Sequence, residues 1–223
     1  MTRGRLVVLE GPEGAGKTTQ IGHLLRRLGG AGLPRVSVQE PGQTAVGAAV
    51  RNIVLDPLWD LCASTEALLF MASRAELVER EVLPALAAGT HVIADRFFLS
   101  TYAYQIAGRG LPEDDVRAAN RLATSGLVPD LTILLDLPSV EGLTRAAARA
   151  GHDRIEQSGN AFHQRVAAAF SLFALDDWQQ GHLEAGPIVT VDARGTEAQV
   201  TERLVTVLAH RWPETFASLQ GSH

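Results

Sequence analysis

Gly11-Pro-Glu-Gly-Ala-Gly16-Lys17-Thr18-Thr19, set directly after the apolar run Leu6-Val-Val-Leu9, decides the reading of this 223-residue chain. The stretch fits G-x-x-x-x-G-K-[ST], in which a strand runs into a tight loop and then a helix. Small residues let the backbone curl round an anion, so that successive amides and the positive end of the following helix point at phosphate oxygens. Gly11, Gly14, Ala15, Gly16, Lys17, Thr18 and Thr19 are therefore the candidate nucleotide-phosphate residues. Lys17 adds a full charge, and the Thr18 hydroxyl is the candidate ligand of a phosphate-bound Mg²⁺. Pro12 has no N–H, but it precedes the amides from Gly14 to Thr19 that would form the cradle. A chance match on a glycine-rich turn is the competing reading, and the strand before and helix after argue against it.

Outward from this loop, short apolar runs alternate with longer helix-patterned stretches. The runs are 6–10, 35–39, 91–95, 131–136 and 187–192, and several are apolar throughout, as strands covered by helices on both faces should be. Helices are predicted near 17–29, 44–55, 64–88, 112–125, 139–149, 160–180 and 196–210. The expected fold is α/β, a five-stranded parallel sheet flanked by helices, which the family resemblance described below makes a P-loop nucleotide-kinase fold with a mobile lid. One domain spans 1–213, followed by a tail, 214–223. Ligands of such sheets gather outside the carboxyl ends of the strands, so functional residues are expected there.

Composition narrows the function classes. With 46% hydrophobic and 20% charged residues the chain has the makeup of a globular domain with a substantial core. A formal net charge of −5 gives no reason to expect a nucleic-acid polymer or an anionic membrane, so anions must be held by local clusters of Arg and Lys. Cys62 is the only cysteine, which excludes an intrachain disulfide framework and suits a reducing cytosol. No apolar run has the length of a signal peptide or a membrane span, and a cytoplasmic protein is expected.

Other charged positions extend the site. The run 91–95 ends in Asp95 and is followed by Arg96, which would put an acid beside the loop's magnesium and a base among the phosphates. Asp136, ending the run 131–136, competes for the magnesium role; Asp95 is favoured because the adjacent arginine makes sense where phosphate is bound. A structural ion pair at a strand end is the plainer alternative. Arg145, Arg149 and Arg154 fall within ten residues and suit a cationic lid, at about 145–157, that neutralises a transferred phosphoryl group and excludes water. A solvated basic helix face balanced by Glu141, Asp153 and Glu156 is the other reading. Arg51, with Phe70 and Arg74 at i,i+4 spacing, could line a second pocket, although Phe70 alone would pass for a core aromatic. The extra arginines hint at an acceptor that is itself phosphorylated. Ser100, Thr101, Tyr104 and Gln105 offer hydroxyls, an aromatic and an amide suited to a base and a sugar, or else merely start a polar helix.

Taken together, the 10–19 run, Glu40-Pro-Gly42 with Thr44, Asp95-Arg96 with Ser100 and Ala103-Tyr-Gln105, Gly108-Arg-Gly110, and Asp153-Arg-Ile-Glu156 resemble thymidylate kinase of the bacterial type. Order and spacing match from about residue 5 to residue 193. The resemblance implies ATP-dependent phosphorylation of dTMP to dTDP. It implies that Lys17 and Thr18 hold ATP phosphates and Mg²⁺, that Glu13 meets the acceptor's 3′-hydroxyl, and that Phe70 stacks on thymine with Arg74, Thr101 and Gln105 near its polar edge. Arg51 and Arg96 would bind the dTMP phosphate, and Tyr104 would crowd the place of a 2′-hydroxyl. The catalytic set would be Lys17, Arg96 and the lid arginines Arg149 and Arg154, with a homodimer as the assembled form. Two departures stand out: in the segment 38–44, Gln39 replaces an expected arginine and Gln43 a glycine able to adopt φ > 0, and in the lid, Ala147 occupies a position where a base can occur.

A kinase of another nucleoside monophosphate is the nearest rival. A nucleotide-dependent switch is more distant, since no Asn-Lys-x-Asp follows the fourth strand and an arginine-rich lid has no task in a switch.

Overall fold

In a computed structural model, five strands, β1 (Leu6–Glu10), β2 (Arg35–Gln39), β3 (His91–Asp95), β4 (Leu131–Asp136) and β5 (Ile188–Asp192), pair in the order β2-β3-β1-β4-β5. Every pairing is parallel, so all five carboxyl ends lie on one side. The structure describes residues 3–138, 141, 142, 145 and 153–219. The runs without alternation are the central strands: β1 and β3 are buried at every position, whereas β2 and β5 sit at the edges with mixed exposure.

Side-chain alternation divides the core in two. Leu6, Val8, Val92, Ala94 and Leu134 face a cluster completed by Phe97, Phe162, Phe170 and Phe173. Val7, Leu9, Ile93, Ile133 and Leu135 face the other, completed by Leu24, Leu28, Leu204 and Leu208. The helices are α1 (Lys17–Gly30), α2 (Ala45–Leu55), α3 (Ala63–Leu77), α4 (Leu83–Ala87), α5 (Phe98–Thr101), α6 (Glu113–Thr124), α7 (Asn160–Phe173), α8 (Asp176–Gly181), α9 (Glu197–Arg211) and α10 (Pro213–Phe216).

Three predicted spans change. The helix expected over 64–88 passes through a π-helical stretch, Val78–Val82, before α4. Pro84 has no N–H for the carbonyl four residues back, and its ring crowds that carbonyl, so the turn before it widens. The helix expected over 160–180 breaks at Leu175, which is extended, and restarts with Asp176 and Asp177 at the positive end of α8. Residues 214–219, expected as tail, instead pack onto the core: Phe216 and Leu219 are fully buried beside Trp212. Their apolar side chains are removed from water, so the folded unit runs at least to Leu219. The helix expected over 139–149 falls mostly outside the described residues.

Candidate active site

The loop after β1 takes its shape from glycines. Gly11 (φ 144°), Gly14 (φ 73°) and Gly16 (φ 87°) all occupy the region that favours glycine. A Cβ on Gly14 would also stand 2.1 Å from the Gly142 carbonyl oxygen. Gly16 is the N-cap of α1, and the first turn has neither a side-chain cap nor an acidic residue, which leaves its amides for an anion. Lys17 Nζ donates to the carbonyls of Gly11 and Pro12, each at 2.9 Å, and so arches over the loop. Burial, with the Arg96 charge nearby, lowers its pKa to about 8.

Thr18 Oγ1 donates to Asp95 Oδ2 at 2.7 Å, joining the start of α1 to the end of β3. A hydroxyl and a carboxylate on one wall are oxygen ligands of the type a hard divalent cation takes. Among the described residues no group of three or more His, Cys, Asp or Glu could hold a metal, so an ion here would depend on nucleotide and water oxygens. Asp95 lines the cavity at Lys17 and Thr18, whereas Asp136 lines a separate hollow beside Pro12 and Pro138. Of the two candidate acids, Asp95 is the one in contact with the loop threonine.

Arg96 turns the chain out of β3 with φ 71°, a left-handed conformation that costs energy for a residue with a Cβ. Its amide donates to Leu9 O, and its guanidinium donates to Glu13 Oε1 at 2.7 Å and to Ser100 Oγ at 2.9 Å. Glu10, fully buried, accepts from Phe97 N, Ser100 N and Ser100 Oγ, and so caps the start of α5 and holds this turn. Tyr104 O–H also donates to Glu13 Oε1, at 2.6 Å. Burial alone would raise Glu13, but Arg96, Lys17 and that phenol lower it to about 2, so it is an ionised acceptor at neutral pH.

One cavity collects nearly all the expected residues. Glu13, Gly14, Gly16, Lys17, Thr18, Asp95 and Arg96 line it together with Arg51, Phe70, Arg74, Ser100, Thr101, Tyr104 and Gln105. Gly11, Ala15 and Thr19 are not in the lining: Gly11 and Ala15 are buried in the loop, and Thr19 is exposed on α1. Arg51 is steadied by a 2.9 Å bond to Pro41 O. Arg74 is buried and fully engaged: its five N–H groups reach Glu40, Thr101 Oγ1, Asn120 Oδ1 and Phe97 O. Any donation from Arg74 to a base is therefore shared with these partners, and its main task is to hold Glu40 and Thr101 in the wall.

Arg154 departs from expectation. Its backbone N–H donates to Leu55 O, its Nε to Val54 O, both at 2.9 Å, and its Nη2 to Glu66 Oε2 at 2.6 Å. It anchors the base of the expected lid to α2 and α3, and it is not part of the cavity lining that its neighbours Asp153, Ile155 and Glu156 join. Buried Glu66 holds the Arg154 side chain here, outside the cavity lining in which a role among the phosphates would place it. Arg149 and Ala147 lie outside the described residues, and Arg145 makes an exposed pair with Glu141 at 3.9 Å.

Sequence reasoning missed His163, which enters the cavity from α7 with Nε2 3.1 Å from Glu156 O. No local pattern marks it, because its place depends on how α7 packs against the π-helical stretch Tyr102–Gly108. Glu66 was equally silent, reading as an ordinary acid in the first turn of α3.

A phosphate-binding loop and an arginine-bearing aromatic wall facing each other across one cavity define the class, a P-loop kinase with donor and acceptor sites side by side. The family model for thymidylate kinase matches residues 9–186. The thymidylate kinase of Deinococcus radiodurans is 42% identical over 95% of this chain and 99% of its own length. That of Synechococcus sp. (strain JA-2-3B'a(2-13)) is 45% identical over 93% of this chain and 95% of its own. That of Carboxydothermus hydrogenoformans is 42% identical over 78% and 86%. The chain belongs to the thymidylate kinase family, whose members are ATP-dependent nucleoside monophosphate kinases.

Proposed function

We propose that this protein transfers the γ-phosphoryl group of ATP to dTMP, giving dTDP and ADP. The observation that carries the reading is the single cavity in which Lys17 and Thr18 face Phe70, Arg51 and Gln105, with Arg96 and Glu13 between them. Both substrates enter as anions, so the acceptor phosphate oxygen attacks without a dedicated general base, the γ-phosphorus to bridging-oxygen bond breaks, and ADP departs with that oxygen.

The chain's work is alignment and charge neutralisation. Lys17 and the α1 amides hold the donor phosphates, while Arg96 and Arg51 hold the acceptor phosphate. Glu13, ionised and acceptor-only, takes the O–H of the 3′-hydroxyl, and Tyr104, bonded to Glu13, fills the space a 2′-hydroxyl would need. Phe70 stacks on the base. Thr18 and Asp95 fit a Mg²⁺, which when bound neutralises charge on the β- and γ-phosphate oxygens. Arg149 is the lid arginine assigned to the transition state, with residues 145–157 as the lid. No helix among the described residues is long and apolar enough to cross a membrane, and the lone cysteine suits a reducing compartment, so the reading is of a cytoplasmic protein; a homodimer is its proposed assembly.

The deciding assay is ADP formation from Mg-ATP with dTMP, dUMP, dCMP, dGMP, AMP or no acceptor, with Lys17→Ala as control. Strong turnover with dTMP, weaker with dUMP and almost none without acceptor is the expected pattern. A preference for another monophosphate would overturn the base assignment, and acceptor-independent hydrolysis would overturn the kinase reading.

A further inference from the structure

Behind the base-facing wall lies a carboxylate that the proposed chemistry does not use. Glu66, one helical turn before Phe70 on α3, is 1% exposed and accepts from three side chains. Gln105 Nε2 donates to its Oε1 at 3.0 Å. Arg109 reaches it with Nε, at 3.0 and 3.2 Å, and with Nη2, at 2.8 Å, while Arg154 Nη2 reaches it at 2.6 Å. Arg109 is itself fixed, its guanidinium lying 4.4 Å from the Phe162 ring centroid.

A side-chain amide has two nearly isosteric ends, one donating and one accepting, and which end faces a ligand decides what it recognises. Here chemistry decides the orientation. Burial pushes Glu66 upward, but the bonds from Arg109 and Arg154 outweigh it and lower its pKa, so it is a carboxylate that can only accept. The Gln105 NH₂ must therefore face Glu66, which turns Oε1 the other way. Gln105 is 3% exposed and lines the cavity, and among the described residues no protein donor reaches Oε1.

We propose that Glu66 is a positioning residue that sets the acceptor class: by fixing the Gln105 amide with Oε1 toward the cavity, it demands a ring N–H from the base and so admits thymine and uracil while rejecting cytosine. The inference rests on the thymidylate kinase reading. Thymine and uracil both carry a hydrogen on N3, whereas cytosine presents a lone pair there, which would leave two acceptors face to face and a buried carbonyl unpaired. The 5-methyl group is invisible to this device, so Glu66 separates dTMP from dCMP and not dTMP from dUMP.

The test is kcat/KM for dTMP, dUMP and dCMP in the wild type and in Glu66→Gln. The amide introduced by that substitution could donate as well as accept, so Gln105 would no longer be held in one orientation. The dTMP:dCMP ratio is expected to fall at least tenfold, while dTMP:dUMP stays within about twofold. An unchanged dTMP:dCMP ratio overturns the proposal. So does an equal fall in both ratios, which is what general damage to the wall would give. Arg109→Met, which leaves the carboxylate paired with Arg154 and Gln105, is expected to keep the wild-type dTMP:dCMP ratio. A tenfold loss there refutes the mechanism even if Glu66→Gln does not fold. A wild-type preference for an acceptor other than dTMP would sink the parent reading in the first panel, before any variant is compared.

Discussion

Lys17 is a charge held near its limit. Its ammonium is buried against Arg96, and its pKa of about 8 puts its titration close to working pH. The protonated form binds phosphate, so kcat/KM for ATP is expected to fall about tenfold per pH unit above pH 8, with the free enzyme's group setting the midpoint. Lys17→Arg, whatever its absolute activity, should show no such decline up to pH 10; a wild-type profile flat through pH 9.5 would refute the assignment. Linkage gives a second sign. The unfolded chain binds this proton more tightly than the folded one, so Lys17 destabilises the free protein at neutral pH, and that penalty fades between about pH 8 and 10.5. Gln43 is strained by its backbone and not by its charge. Its side chain is exposed and outside the cavity, yet its φ is 66°. Left-handed geometry costs a non-glycine residue about 1–2 kcal/mol, against roughly 0.5–1 kcal/mol for the added freedom of an unfolded glycine. Gln43→Gly should therefore stabilise the protein by about 0.5–1 kcal/mol, raising Tm by about 1–4 °C with little change in the KM for dTMP. Calorimetry showing a lower Tm would contradict this. Gln39, in contrast, lines the cavity and is the departure that can reach the acceptor.

Among the elements, the lid and its anchor separate two arginines that look alike in sequence. Arg154 is tied by Leu55, Val54 and Glu66, so Arg154→Ala should lower kcat less than tenfold and raise ATP hydrolysis without acceptor, as a loosened lid admits water. Arg149→Ala, removing charge from the transition state, should lower kcat about 100-fold or more with KM nearly unchanged. Steady-state and acceptor-free assays on both variants decide it, and equal losses would mean that Arg154 leaves Glu66 during turnover. The strands were legible because β1, β3 and β4 lie between two helical layers and are mainly apolar through their middles, a pattern local enough to read. The phosphate loop was legible because its glycines and lysine follow one another. Arg154 was not, because its partner Glu66 is 88 residues away and nothing local tells an anchor from a phosphate ligand. The π-helical stretches escaped for a similar reason: widening at Tyr102–Gly108 reflects packing against α7, and only Pro84 left a local sign of the other.

At the scale of the molecule, the faces of α2 and α3 that turn away from the cavity are short of charge. On α2 the exposed positions are Ala45, Val46, Ala48, Ala49 and Asn52; on α3 they include Leu68 and Ala72, and on α6, packed against α3, Ala118 and Leu122. Leu68 is 62% and Leu122 83% exposed. Isolated exposed leucines are ordinary, but on a protein carrying 45 charged side chains the small and apolar exposed positions of α2 and α3 are suited to burial, while α6 adds exposed Asp114, Asp115 and Arg121 beside Ala118 and Leu122. A second copy meeting this surface about a twofold axis would place α2 and α3 against their own equivalents, which gives the proposed homodimer a helix-to-helix interface. The same two helices carry Arg51, Phe70 and Arg74 on their other side, so an interface that stiffens them stiffens the acceptor wall. Leu68→Asp combined with Ala49→Glu should therefore convert the protein to a monomer at micromolar concentration, lower a concentration-dependent Tm, and raise the KM for dTMP more than that for ATP. Sedimentation equilibrium with parallel kinetics tests each part. A wild type already monomeric at tens of micromolar removes the interface, and a double variant that dissociates with both KM values unchanged leaves the dimer standing but severs it from acceptor binding.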